Sequence, residues 1–160
     1  MRIFGISMPA LAAAMAVGAA VAFAPLGAAI AGDGAAAITE RQALMRLQGA
    51  AAGAIKAAID SKDPARLKQV EGSARALAFS ATAIPTMFPK GSDDKAGKTA
   101  ALPKIWEDSA GFRKAADTMG AAATKLADAL KSGDAAASLA AFGAVGKDGC
   151  AGCHDAYRAK

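Results

Sequence analysis

Thiol and imidazole are scarce in this chain: its 160 residues hold two cysteines and one histidine. No second pair of thiols exists, so the fold cannot be a disulfide scaffold. A structural zinc site wants four Cys or His ligands, and only three are present. Aromatic residues make up 5% of the sequence, with one Trp and one Tyr. The net charge is +5, yet no dense run of Lys or Arg occurs. Without a basic stripe or an aromatic stacking platform, nucleic-acid binding is not expected. No stretch alternates polar and apolar residues with a period of two, so no strand is expected either.

The scarce residues stand together. Both cysteines and the histidine fall in Cys150-Ala151-Gly152-Cys153-His154. Cys-x-x-Cys-His is the attachment signature of c-type haem. Two thiols three residues apart on a helical turn point the same way and can add to the two vinyl groups of a porphyrin. The next residue delivers an imidazole to the iron. A thioredoxin-like use of the cysteines would need a preceding strand. A disulfide across two intervening residues would close too small a loop to stabilise much. One covalent haem c is therefore expected, with Cys150, Cys153 and His154 as its anchors.

The N-terminus reads as a secretory signal. Met1-Arg2 is a short positive start, and Ile3 to Ile30 carries no charge. Ala29-Ile30-Ala31 fits the small-residue cleavage rule, which places the cut after Ala31. The apolar run is also long enough to span a bilayer, but Pro25 and Gly27 break it just ahead of the cleavage site. The expected division is a signal peptide over 1–31 and one domain over 32–160. No membrane attachment is expected after cleavage.

In the mature chain, apolar residues recur at spacings of three and four. The spacing predicts four helices. The first runs from about Ala36 to Asp60. The second begins at Asp63-Pro64, an acidic cap with proline at the first helical position, and runs to about Ala83. The third spans from near Pro103 to about Lys131. The fourth follows Ser132-Gly133-Asp134, carries Leu139, Phe142 and Val145, and ends near Arg158. The first and third links are short, which makes antiparallel neighbours. The expected fold is all-α: an antiparallel up-down-up-down four-helix bundle with covalent haem in its core. The long middle link, Ile84 to Leu102, reads as a solvated loop whose apolar start tucks against the core.

The chain resembles the class II cytochromes c, the cytochrome c-prime superfamily. The attachment motif lies at the extreme C-terminus, within Cys150 to Arg158. The first helix carries Arg41-Gln42-Ala43-Leu44-Met45, the third opens Leu102-Pro103-Lys104-Ile105-Trp106, and Ala141 to Gly146 precedes the motif. The resemblance implies that Met45 faces the iron opposite His154, that Arg41 bridges to a haem propionate, and that export leads to the periplasm. Arg158, four residues after His154, would lie on the last helix over the proximal imidazole and tune the iron.

On this reading the protein is not an enzyme but a soluble electron carrier. Its iron would be held by His154 and Met45, and it would serve redox partner proteins. The alternative is a five-coordinate cytochrome c-prime binding the small gases NO or CO, with Met45 a non-ligating distal residue. A peroxidase lacks a distal histidine, because the only one is already engaged. Members of the family are often dimers through their first two helices, so a homodimer is a further expectation of the resemblance.

Overall fold

The computed structural model describes residues 33–160, so the expected signal peptide lies outside the described residues. Helix α1 spans Gly34–Ser61 and is capped by the Asp33 carboxylate, which accepts from the Ala35 amide at 3.0 Å. Its buried stripe includes Ile38, Arg41, Ile55 and Ile59. The helix ends at Lys62 in the left-handed region, with φ 55°. Asp63 and Pro64 then start α2 as expected, Pro64–Gln69.

The second expected helix is divided. After α2, the chain loosens at Val70, whose amide bonds both Leu67 and Lys68 carbonyls, and α3 resumes over Glu71–Ala83. A β-branched residue followed closely by Gly72 favours such a pause. A 3-10 turn, Ile84–Met87, continues from α3, with Ile84 buried as expected of the apolar loop start.

The third expected helix is also split. The short α4, Lys104–Glu107, stops at Asp108, and α5 runs over Ser109–Ser132. Asp108 breaks the rod because its carboxylate turns to cap α5, accepting from the Gly111 amide at 2.9 Å. The same carboxylate accepts from the Tyr157 hydroxyl at 2.9 Å. Helix α5 ends at Gly133 with φ 77°, a conformation that glycine adopts without strain.

The last rod begins at the Asp134 cap with α6, Ala135–Ala144, passes through a π-helical segment, Val145–Ala151, and ends in α7, Gly152–Tyr157. Of the apolar residues this rod carries, Leu139 is 51% exposed, whereas Val145 is buried.

These rods form a four-helix bundle. Leu67, Leu77, Phe112, Met119, Leu126 and Leu130 meet in one core cluster. Many other core positions are alanines, including Ala74, Ala116 and Ala123. Small side chains let α3 and α5 approach closely. Among the described residues there is no strand, only an isolated antiparallel bridge between Ala101 and Arg158. No helix of the described residues is long and apolar enough to cross a membrane.

The middle link is less solvated than its sequence suggests. Ser92 is fully buried. The Trp106 indole N–H donates to the Phe88 and Pro89 carbonyls at 3.0 and 3.2 Å. Gly34 abuts the Gly91 carbonyl so closely that a Cβ at residue 34 would have no space. The loop therefore lies against the start of α1 and closes one end of the bundle.

Candidate functional site

The Cys150–His154 cluster sits where the π-helical segment hands over to α7. A π-turn holds an extra residue and so changes the direction in which later side chains leave the helix. Gly149, within that turn, is buried against Met119 of α5. A Cβ at residue 149 would lie 3.1–3.3 Å from three Met119 atoms. The segment approaches α5 as closely as a glycine allows.

Two cavities, each of about 320 Å³, meet at the cluster. Met45, Arg46, Ile84, Cys153, His154 and Arg158 line both. The first reaches Arg41, Phe88, Phe112 and Tyr157. The second reaches Gly49, Ala52, Met119 and Cys150. All six residues singled out in the sequence thus border one divided space, and their volumes fall in the range of cofactor sites.

Both thiols are free. Partial burial pushes the Cys150 and Cys153 thiols up, and Cys153 is raised further by its neighbour Cys150. His154 is half-buried. Burial lowers it first, the nearby Arg158 cation lowers it further, and Asp155 opposes both. The imidazole is therefore held neutral at neutral pH, with a nitrogen lone pair available to a metal.

Arg41 is buried, not solvated, with 3% exposure. Its Nη1 donates to Ser92 Oγ at 2.8 Å. Its Nη2 donates to the Ser92 carbonyl at 2.7 Å and to Thr99 Oγ1 at 3.0 Å. The guanidinium carbon lies 4.5 Å from the Phe88 ring centroid. Burial lowers its pKa, yet an arginine stays charged. Sequence reading gave no sign of this clasp, because its partners lie 51 and 58 residues away on the loop.

Arg158 departs from its expected place. It is not on the last helix but just beyond it, in extended conformation with φ −124° and ψ 135°. Its segment pairs with the loop: the Leu102 amide donates to the Tyr157 carbonyl at 3.0 Å, and the Ala159 amide to the Ala100 carbonyl at 2.8 Å. Those bonds outcompete another helical turn. The side chain still lines both cavities beside His154.

Of the other methionines among the described residues, Met119 is buried and lines the second cavity, while Met87 lines neither. Arg46, which sequence reading passed over, lines both. An aromatic row closes the loop end of the space. Phe88 and Phe112 lie 4.9 Å apart edge to face, and Phe112 and Tyr157 lie 5.2 Å apart. Two free thiols, a neutral imidazole and largely apolar walls on one space suit a flat, thioether-linked, iron-bearing group.

Comparison with known proteins agrees. The family model described as Cytochrome C' matches residues 36–158. A cytochrome c' of Rhodopseudomonas palustris is 37% identical over 77% of this chain and 82% of its own. One from Rubrivivax gelatinosus is 39% identical, covering 78% and 95%. A cytochrome c-556 of Agrobacterium tumefaciens is 32% identical, covering 77% and 97%. Among solved structures, a nitric oxide complex of a cytochrome c prime variant from Alcaligenes xylosoxidans superposes with a TM-score of 0.69. It is 28% identical and covers 81% of this chain and 98% of that one. A carbon monoxide-bound variant of the same protein gives a TM-score of 0.67 at 29% identity, covering 78% and 94%.

These matches overturn the expected electron carrier with iron held between His154 and Met45. The matched structures are of a protein that takes nitric oxide or carbon monoxide. The matches favour the gas-binding alternative, in which Met45 is a wall residue rather than a ligand.

Proposed function

The chain belongs to the cytochrome c' family, and from that premise we propose that it is an exported mono-haem protein that binds nitric oxide or carbon monoxide on an open iron face. Members of this family bind one covalent c-type haem and are haem proteins rather than classical enzymes. When bound, that group supplies an iron with one face for an imidazole and one for a diatomic gas. Cys150 and Cys153 would hold the porphyrin, and His154 would take the iron.

The carrying observation is the match to nitric oxide and carbon monoxide complexes of a cytochrome c prime, with Met45 lining the same two cavities as His154. Met45 leaves α1 half-buried, packed against the core with Leu44. Its thioether has no charge and donates no proton, so it walls the gas side without anchoring water there. Ile84, Phe88 and Phe112 extend that apolar wall. Arg158 stays beside His154 and helps keep the imidazole neutral.

The test is the ferric visible spectrum of the haem-loaded protein and of Met45→Ala. Both are expected to be high-spin, with nitric oxide and carbon monoxide binding to the ferrous forms. A low-spin wild type that turns high-spin in Met45→Ala would assign the sulfur to the iron and end this reading.

Export to the periplasm is supported by the signal-like pattern of residues 1–31. A homodimer through α1 and α3 is supported by two unburied apolar side chains, Leu47 at 67% and Phe79 at 78% exposure. They adjoin in sequence the Gln48–Ser80 hydrogen bond that joins these helices at 2.8 Å. Phe79→Glu is expected to shift the protein from dimer to monomer in light scattering. A wild-type monomer would exclude the dimer.

A further inference from the structure

Helix α7 carries His154 but has little hold on its own position. It is six residues long, and a helix that short does not stand by its own hydrogen bonds. A π-helical segment precedes it and extended chain follows it. What fixes it must come from neighbouring elements.

Tyr157, its last residue, is buried and held at four points. The hydroxyl donates to Asp108 Oδ2 at 2.9 Å, while Oδ1 of the same carboxylate accepts from the Gly111 amide and caps α5. The ring meets Phe112 edge to face at 5.2 Å. The Lys104 ammonium lies 5.4 Å from the ring centroid. The Tyr157 carbonyl accepts from the Leu102 amide at 3.0 Å. Gly111 leaves room for this arrangement: a Cβ there would overlap Asp108 Oδ2 and lie 2.5 Å from the Tyr157 hydroxyl oxygen. Leu102, Lys104, Asp108 and Gly111 line neither cavity. Their grip on Tyr157 lies outside the space a haem would fill, so an occupant of that space does not compete for it.

His154 stands three residues before Tyr157, one turn away on the same helix. Both border the first cavity. The His154 carbonyl accepts from the Arg158 amide at 3.0 Å, which ties the backbone of the imidazole residue to the pinned tail. Given the haem reading above, on which this inference rests, we infer that Asp108 and Tyr157 are positioning residues. Their hydrogen bond latches α7 to the joint between α4 and α5, and so fixes the angle and distance at which the His154 imidazole meets the iron. A ligand with a firm outer support keeps its orientation, and one that has lost it swings and binds more weakly.

The test uses the full chain matured in a host able to attach haem. Resonance Raman spectra of the ferrous, gas-free protein report the iron–imidazole stretching band. Tyr157→Phe removes the hydroxyl and leaves the ring. Asp108→Ser keeps a helix cap and removes the second oxygen. Each is expected to move the band to lower wavenumber and broaden it. The double variant should move it no further than the larger single shift, because one shared bond is lost. Ser138→Ala deletes a buried hydroxyl of α6 that lines neither cavity. It should lower the thermal midpoint and leave the band in place. A band unchanged in both single variants, or shifted as far by Ser138→Ala, overturns the latch and leaves the haem reading standing. A colourless wild type would overturn both.

Discussion

Replacing Arg41 by Met tests whether the loop is held by one buried cation. The substitution keeps an unbranched apolar stem and deletes three hydrogen bonds, to Ser92 Oγ, the Ser92 carbonyl and Thr99 Oγ1. Two of those partners have other bonds. Ser92 Oγ still donates to the Pro89 carbonyl at 2.8 Å, and Thr99 Oγ1 still accepts from the Ala101 amide at 3.1 Å. The Ser92 carbonyl loses its partner in a fully buried residue, which costs about 1–3 kcal/mol. Loss of the cation over Phe88 adds about 1 kcal/mol. Relief of the guanidinium's desolvation offsets part of this, because among the described residues no carboxylate accompanies it. The net loss is then about 2–3 kcal/mol, which at this size lowers the thermal midpoint by roughly 6–15 °C. Differential scanning calorimetry of haem-loaded protein measures it. Ser92→Ala, which keeps the carbonyl bond to Arg41, should lose less. A fall below about 2 °C in Arg41→Met would refute the clasp, since even one orphaned buried carbonyl costs more.

Gly149→Ala presses a Cβ onto Met119 and should cost about 1–3 kcal/mol by overpacking. Urea denaturation checks this, and the cost of Gly149→Ala should be smaller in a Met119→Ala background, which lacks the nearest atom, Met119 Cγ. Acid should weaken the joint between α5 and the C-terminal rod. The Gly111 amide first, then the Tyr157 hydroxyl, hold the Asp108 carboxyl below its usual range, and Lys104 adds to this. A lowered folded pKa means the contribution is whole above the ordinary carboxylate value of about 3.9 and vanishes as pH falls through the folded value. The gap in thermal midpoint between wild type and Asp108→Ala should therefore be wide at neutral pH and close in acid. A gap independent of pH would remove the ionised carboxylate from the explanation.

The bundle was legible because its signals are local. Asp63-Pro64, Asp134 and Gly133 each mark a boundary through their own backbone chemistry, and the structure has caps at those places. The interruptions were not legible for the opposite reason. Asp108 stops one helix to cap the next, and its second oxygen is held by a hydroxyl 49 residues away. Arg158 leaves helical conformation because a loop more than fifty residues earlier offers its neighbours backbone bonds. Leu139 obeys the helical period but falls where no rod covers it. Periodicity shows that a face is apolar and is silent on whether a neighbour reaches it.

The site divides along the same line. A Cys-x-x-Cys-His motif is set by spacing within one turn, so Cys150, Cys153 and His154 could be named as candidate anchors from five consecutive letters, and the structure places them on one divided space. The role of Met45 could not, because a methionine has the same sulfur whether it coordinates or merely walls. What decides is the distance and slack imposed by everything around it: α1 reaching past the space, Ile84 behind, the π-turn setting the opposite wall through the Gly149–Met119 contact. Arg41 and Arg46 show the point in its simplest form. They lie five residues apart on one helix, have identical side chains and border the same space. Yet one is sealed against Ser92 and the other keeps its fork open. The loop between the second and third rods, folded back onto the face of α1 that carries Arg41, makes them chemically different.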